Sequence, residues 1–354
     1  MTGPDTSFLP VEQGGSPRTL HTELTGRLGI VFPILGAPMG GVAHGRLARA
    51  VTEGGGLGMI GVGSTDPPEL IDREAPVASD SGRLPFGIGL MAWALDRRPD
   101  LLDKAIDARP VLVSVSFGSP APYVDALHQA GIVVASQVQD VAGARAAAEA
   151  GVDFVVAQGT DAGGHTGTVG TLPLLQIVLD AVAVPVIAAG GIATARGLAA
   201  VLAAGAAGAW VGTCLLASPE ATTKPEARAK VLAAGETDTV LTRVFDVAQG
   251  IPWPERFAGR ALRNRFTDRW HGREAELATD AAAGNELAGA RGTANYDVAY
   301  VYAGQAVGLV RASRPAAEVV RDLGEGALAL LGEQVDRLLG RGSNDGFRSP
   351  HPSS

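Results

Sequence analysis

The stretch PVIAAGGIATARGLAAVLAAGAAGAWVGT, residues 185–213, decides the fold. It begins with a short apolar run, breaks at Gly190 and Gly191, and continues as an alanine-rich segment of helical character. After Gly205 it ends in a second apolar run. Short apolar runs that alternate with helical stretches are typical of a parallel sheet covered by helices. The stretch therefore predicts a strand, a helix and a second strand.

The same alternation extends over the first two-thirds of the chain. Several of the helical segments between the apolar runs end in glycine, as helix C-termini favour. Eight strands with helices between them predict a (β/α)8 TIM barrel, an α/β fold whose ligands gather at the C-terminal ends of the strands. An open, doubly wound sheet is the alternative. The predicted strands are Phe32–Gly36, Gly58–Val62, Pro85–Leu90, Val111–Phe117, Ile132–Ser136, Phe154–Ala157, Val184–Ala188 and Ala209–Gly212.

The character of the sequence changes after the eighth predicted strand. Over residues 221–298 the charge density rises and β-type runs disappear, which predicts a mostly helical substrate or lid segment after strand eight. An apolar-periodic run then predicts a closing helix that docks on the barrel. The predicted organisation is an N-terminal arm (1–25), the barrel (26–220 and 299–340), the lid (221–298) and a disordered tail (341–354).

Composition and charge narrow the function classes. Hydrophobic residues make up 46% of the chain and charged residues 19%, which favours a packed globular protein. A net charge of −8 argues against nucleic-acid and anionic-membrane partners. The single cysteine, Cys214, excludes an internal disulfide and fits a cytoplasmic location. Gly197–Pro219 is uncharged and long enough to span a bilayer, but its glycines predict a buried helix followed by a strand.

Glycines follow the seventh and eighth predicted strands, at Gly190, Gly191 and Gly212. Without a Cβ, these positions let backbone N–H groups approach an anion closely near a helix N-terminus. Barrels that bind phosphorylated cofactors commonly hold the phosphate in these loops. The sequence therefore predicts a phosphate site here, with a tight turn as the simpler alternative.

His165 is the strongest candidate for a catalytic side chain. It follows two glycines in the loop after strand six, where an imidazole can exchange a proton near neutral pH. No metal site is expected, because only Asp161 lies near it and the loop is not helical. No GxSxG nucleophile elbow is present, and Cys214 is interpreted as a buried apolar residue. Trp93, Trp253 and Trp270 are expected to pack under loops rather than to line the mouth.

Three motifs together resemble the nitronate monooxygenase (2-nitropropane dioxygenase-like) family of FMN-dependent barrel enzymes. They are PILGAPMGG, AQGTDAGGHTG and the stretch quoted above, and the resemblance covers nearly all of residues 28–339. It implies that His165 is the active-site histidine, which lies near the flavin and binds or deprotonates the nitro substrate. It also implies FMN contacts from strand ends and loops, at Ala37, Pro38, Met39, Gln158, Gly163, Gly164, Gly190, Gly191, Trp210, Val211, Gly212 and Thr213.

The chain departs from the family pattern in two strands. Gly89 stands where family members commonly carry an asparagine that contacts FMN, so only a backbone contact is expected there. Ser116 stands where some members have a histidine, which puts it among the substrate-contacting candidates. Trp210 is bulkier than the glutamine expected in the phosphate region, although backbone contacts tolerate this difference.

Three functions are compatible with these sequence features. The first is FMN-dependent oxidation of alkyl nitronates, such as propionate 3-nitronate, by O2 to a carbonyl compound and nitrite. The second is an NAD(P)H-dependent reductase that resembles the enoyl-acyl-carrier-protein reductase branch, and the third is a non-catalytic flavin-binding protein. The first implies a small nitronate or nitroalkane substrate with O2, no nucleic-acid or membrane partner, and leaves a homodimer open.

Overall fold

Strands and helices alternate along residues 20–338, the part of the chain that the computed structural model describes. The strands are β1 (Ile34–Gly36), β2 (Met59–Gly61), β3 (Gly87–Met91), β4 (Leu112–Ser116), β5 (Val133–Val138), β6 (Phe154–Gln158), β7 (Gly164–Thr166), β8 (Val186–Ala189), β9 (Gly208–Val211), β10 (Thr239–Thr242) and β11 (Ala258–Leu262). The helices are α1 (Glu23–Leu28), α2 (Gly45–Glu53), α3 (Glu69–Ala78), α4 (Ala92–Leu95), α5 (Asp100–Asp107), α6 (Ala121–Gln129), α7 (Val141–Glu149), α8 (Thr171–Ala181), α9 (Ala195–Ala203), α10 (Pro225–Ala233), α11 (Val244–Gln249), α12 (Arg265–Trp270), α13 (Glu274–Leu277), α14 (Ala281–Gly292) and α15 (Ala316–Leu338).

Eight strands form a parallel barrel in the order β1-β9-β8-β6-β5-β4-β3-β2. A parallel bridge between Leu35 and Leu57 joins β1 to the residues that precede β2 and closes the ring. All eight predicted strands are present within two residues of their predicted ends. The predicted (β/α)8 barrel is therefore confirmed, and the open doubly wound sheet is wrong.

The lower part of the barrel interior is filled by large apolar side chains. Strand alternation points Met59, Phe154 and Trp210 inward, where they form one cluster with Leu24 of α1. A Cβ on Gly208 would overlap the Leu24 side chain, so this glycine lets α1 approach the strand ends. Helix α1 begins at Glu23, inside the predicted arm; residues 1–19 lie outside the described part of the chain.

The segment 221–298 contains strands, and the expectation that β-runs disappear there is wrong. Strands β10 and β11 pair antiparallel, and β11 also pairs with the short strand β7 from the loop after β6. The resulting strand order of this second sheet, which we call the lid sheet, is β10-β11-β7. Helices α11–α14, together with β11 and the residues that follow α14, bury a separate apolar cluster, which we call the lid cluster, made of Val244, Phe245, Ala261, Phe266, Trp270, Leu277, Ala283, Leu287, Ala290, Val298 and Ala299.

The predicted closing helix is α15, which packs on α9 and α2. Two glycines allow the contact, since a Cβ on Gly324 would overlap the Phe32 ring and one on Gly326 would lie 2.7 Å from the Ala195 Cβ. The stretch that mimics a membrane span forms α9 and β9, as predicted. Along residues 20–338, no helix combines the length and apolar character that a bilayer crossing needs. The predicted tail, 341–354, lies outside the described residues.

Candidate active site

His165 lies on β7 and is held in place by the lid sheet. It pairs with Gly259 of β11, and its side chain is 8% exposed. Gly259 has no room for a side chain, because a Cβ there would lie 2.7 Å from the Tyr302 ring. Arg260 ties β11 to the loop after β6, since its Nε donates to the Thr160 carbonyl at 2.6 Å. The loop that carries the histidine is thus ordered by residues almost a hundred positions further along the chain.

The carboxylate of Asp246 binds the His165 ring. Its two oxygens lie 2.9 and 3.0 Å from Nε2, and Asp246 is 3% exposed. The Tyr302 hydroxyl donates to the same carboxylate at 3.5 Å. Burial, followed by the nearby carboxylate charge, raises the pKa of Tyr302 well above its ordinary value, so the phenol stays protonated. The three side chains form a buried polar group beside the barrel mouth.

Aromatic rings cover the histidine. The Trp253 ring stacks on the imidazole with a centroid distance of 3.5 Å and an interplanar angle of 9°. Trp93 and Phe117 each meet the Trp253 ring edge-on at 5.1 Å. Phe117 follows β4 with φ 62°, a strained conformation for a bulky residue and one that clusters at functional sites. Trp93 and Trp253 therefore belong to the site, against expectation, whereas Trp270 packs in the lid cluster as expected.

The loops after β8 and β9 lie side by side, because Ala189 pairs with Trp210. Gly190 and Gly191 have φ values of 107° and 72°, which only glycine adopts readily. Along the described part of the chain, the N–H groups of Gly190, Gly191 and Gly212 donate to no backbone or side-chain acceptor. Partly exposed, unused N–H groups in adjacent glycine loops fit a phosphate group.

Several of the predicted flavin-contacting residues meet in the upper barrel. The Ala37 N–H donates to the Val211 carbonyl at 2.8 Å. A Cβ on Gly212 would lie 3.2 Å from the Ala37 side chain and 3.3 Å from the Met39 sulfur. A Cβ on Gly89 would overlap the Pro38 ring, so the glycine in place of the family asparagine makes room for this proline.

The remaining predicted residues have identifiable structural contacts. The amide oxygen of Gln158 accepts from Gln139 Nε2 at 2.8 Å, and Ser116 Oγ accepts from the Gln137 N–H at 3.1 Å. The Trp210 side chain points into the lower interior, so only its backbone could contact a ligand at the mouth. The other contacts involve Gly163, which packs against the backbone of residues 303–304, Gly164, which has φ 73°, and Thr213, whose hydroxyl accepts from the Gly304 N–H at 2.9 Å.

Two reactive side chains near the site have structural roles. Asp161 accepts the Thr171 N–H at 2.7 Å and so caps the start of α8. Cys214 is 7% exposed, and burial raises the pKa of its thiol to about 12. The thiol is therefore protonated near neutral pH and a poor nucleophile, as the sequence indicates.

Sequence reasoning missed Asp246, Trp253 and Tyr302 as parts of the site. Asp246 and Trp253 come from the lid segment, where no motif surrounds them, and Tyr302 begins the run YAGQAVGLV just after it. The available signals were that run, which resembles the later part of the family, and the position of all three residues after strand eight, where insertions commonly form the mouth of a barrel.

A (β/α)8 barrel with a histidine at its mouth and glycine-loop N–H groups that bind no protein acceptor fits a flavin-dependent oxidoreductase. The family model described as nitronate monooxygenase matches residues 21–104 and 96–326. The chain belongs to the nitronate monooxygenase family and is an oxidoreductase.

Two relatives illustrate the breadth of the similarity. The nitronate monooxygenase of Neurospora crassa is 32% identical over 349 residues, which cover 83% of this chain and 88% of the relative. A 5-hydroxy-7a-methyl-1-oxo-octahydro-1H-indene-4-carboxyl-CoA dehydrogenase of Rhodococcus jostii is 37% identical over 228 residues. That match covers 64% of this chain and 64% of the relative, less than two-thirds of the relative's length.

Two solved structures share the fold. FabK from Thermotoga maritima superposes with a TM-score of 0.78 at 32% identity and covers 91% of this chain and 100% of its own. Nitroalkane oxidase from Streptomyces ansochromogenes gives a TM-score of 0.75 at 29% identity, with 89% and 99% covered. Together with the family match, these similarities support flavin-dependent oxidation of nitronates or nitroalkanes in general.

Proposed function

We propose that this protein is an FMN-dependent nitronate monooxygenase that oxidises alkyl nitronates, such as propionate 3-nitronate, with O2 to a carbonyl compound and nitrite. The observation that carries the proposal is His165, held at the barrel mouth between a carboxylate and an indole ring. Family membership supports the reaction class. FMN, when bound, accepts the electrons of the substrate and passes them to O2.

The glycine loops supply the residues that would hold the FMN phosphate. The N–H groups of Gly190, Gly191 and Gly212 are available for phosphate oxygens. The flavin ring would be contacted by Ala37, Pro38 and Met39 after β1 and by Gln158 at the end of β6. FMN, the cofactor that the resemblance implies, carries one phosphate group that these loops would hold.

His165 would act on the nitro substrate. One ring nitrogen is bound by Asp246, and no described residue binds the other, so that nitrogen can contact the substrate. The Trp253 ring, backed by Trp93 and Phe117, shields one side of the imidazole from water, which strengthens its interaction with a nitronate anion.

The structural similarity to FabK favours one second candidate. On the same scaffold, the chain would be an NAD(P)H-dependent flavin reductase that resembles the enoyl-acyl-carrier-protein reductase branch. The two functions differ in their electron donor, so they can be separated experimentally.

The test is oxygen uptake by the FMN-loaded protein on addition of propionate 3-nitronate without NAD(P)H. We expect prompt uptake with release of nitrite, and loss of most of this activity in His165→Asn. No uptake with stoichiometric FMN, together with anaerobic bleaching of the flavin by NADPH, would establish the reductase instead. Binding of FMN with neither activity would contradict both.

A further inference from the structure

We propose that Asp246 is a positioning residue that fixes the tautomer of His165 and makes Nδ1 the base that deprotonates neutral nitroalkanes. This inference rests on the proposed function and deepens it. The resemblance already implies that His165 deprotonates a neutral nitroalkane, and what the inference adds is Asp246, the residue that sets which ring nitrogen does so.

The geometry of the pair sets the tautomer. Both oxygens of Asp246 lie within hydrogen-bond distance of Nε2, at 2.9 and 3.0 Å. An ionised carboxylate only accepts hydrogen bonds, so Nε2 carries the proton and donates it. A neutral imidazole has one donor and one acceptor nitrogen, which leaves the lone pair on Nδ1. Nδ1 has no partner among residues 20–338.

Asp246 is buried beside two hydrogen-bond donors, the His165 imidazole and the Tyr302 hydroxyl. The carboxylate is 3% exposed, and along the described chain the only basic side chain within ion-pair distance is the His165 imidazole. The Tyr302 hydroxyl supplies a second donor at 3.5 Å. A buried carboxylate whose donors are a neutral imidazole and a phenol is satisfied but not neutralised by a cation. Its remaining negative charge favours a positive charge on the imidazole when Nδ1 takes a proton.

The stacked indole limits how the ring can move. Trp253 covers one face of the imidazole, and the Tyr302 ring lies tilted with its centroid at 5.4 Å. With Nε2 bound to Asp246, rotation of the ring to present Nε2 to substrate would break the buried hydrogen bond. Nδ1 is therefore the nitrogen that stays available for the substrate.

The step is a proton transfer and balances without an oxidant. The C–H bond next to the nitro group breaks, its proton bonds to Nδ1, and its electron pair delocalises into the nitro group as the nitronate. The imidazolium keeps its Nε2 proton, which continues to donate to Asp246. The nitronate is then the substrate of the proposed oxidation, and a deprotonation of this kind typically contributes about 10²–10⁴-fold in rate.

The activity test compares two substrates on Asp246→Asn. We expect kcat/KM for a neutral nitroalkane to fall about 10²-fold or more, while that for the preformed nitronate changes less than about threefold. Asp246→Glu, which retains the charge, should recover part of the loss. The matched control is Asp297→Asn, which removes an exposed lid carboxylate paired with Lys230 and should change neither value. Equal losses on both substrates would show that Asp246 is only structural.

A second measurement does not depend on activity. Nitrogen NMR of 15N-histidine-labelled holoenzyme, with His165 assigned by its loss in His165→Asn, reports which ring nitrogen is protonated. We expect the Nε2–H tautomer in the parent protein and a mixture in Asp246→Asn. An Nδ1–H tautomer in the parent protein would overturn the inference. If instead the parent protein shows Nε2–H but oxidises no nitronate, the proposed function fails and the tautomer assignment stands.

Discussion

The two ends of the barrel interior are filled in opposite ways. The lower end holds Phe154, Trp210 and Met59, packed against Leu24 of α1. The upper end has glycines at inward positions of β2, β3 and the end of β9, covered by the loop after β1. Large side chains below bury apolar area and stabilise the fold, whereas small ones above leave backbone groups and space for ligands. Substitutions below should therefore change stability, and those above should change chemistry.

The largest expected effect is at the mouth. His165→Asn should lower turnover of a neutral nitroalkane by about 10²–10⁴-fold, the range for a lost general base. Steady-state kinetics of the FMN-loaded variant measures it. His128→Asn is the matched control, since His128 lies on the exposed surface of α6 and pairs with Asp153. Unchanged kinetics in His165→Asn would remove the histidine from the chemistry.

The next effect is at the lower end. Phe154 is fully buried, and Phe154→Ala should lower the free energy of unfolding by about 3–5 kcal/mol through lost packing and a residual cavity. Urea denaturation measures the loss. Under conditions where the variant is folded, FMN affinity should stay near that of the parent protein. A large drop in FMN affinity of the folded variant would show that the two ends are coupled.

A smaller effect is expected when a negative charge is added to the glycine loop after β8. Gly191 has φ 72°, a conformation that Asn and Asp both tolerate better than other side chains. Gly191→Asp should bind FMN about tenfold or more weakly than Gly191→Asn, because a carboxylate a few ångströms away repels the phosphate. Flavin fluorescence titration gives both affinities. Riboflavin, which lacks the phosphate, should not distinguish the two variants; if it does, the effect is not phosphate repulsion.

The smallest expected effect concerns Cys214, which directly follows the mouth loop but belongs to the packed core. Because burial raises the pKa of its thiol to about 12, the native protein should not react with iodoacetamide at pH 8. Mass spectrometry should detect alkylation only after denaturation. Rapid alkylation of the native protein would show that the Cys214 thiol is accessible at the upper end and not buried in the core.

The barrel could be predicted from sequence because each of its units is local. In residues 185–213 the apolar run, the glycine break and the helical segment follow one another, and β8, α9 and β9 form where this pattern places them. His165 and the phosphate glycines were found for the same reason. They lie directly after strands, in loops that the barrel geometry brings to one edge.

The lid sheet could not be predicted, because its strands depend on distant partners. The β11 segment AGRAL contains a charged residue and a glycine, which weaken any strand pattern. Pairing with β7 stabilises this strand, and the Arg260 side chain donates hydrogen bonds to the hydroxyls of Thr160 and Thr239. Asp246 is one of 37 acidic residues, and only the three-dimensional fold distinguishes it from the others.

Because His165 is held by the lid sheet, its surroundings are completed after the barrel strands. All eight barrel strands and the glycine loops lie within residues 34–212, whereas the His165–Asp246 hydrogen bond needs a residue 81 positions after the histidine. Chains are synthesised from the N-terminus, so the earlier segments are available for folding first. A nascent chain would complete the barrel strands and their phosphate loops before the residue that orients the histidine has joined them. The protein therefore gains the ability to hold its cofactor before it gains the ability to use it.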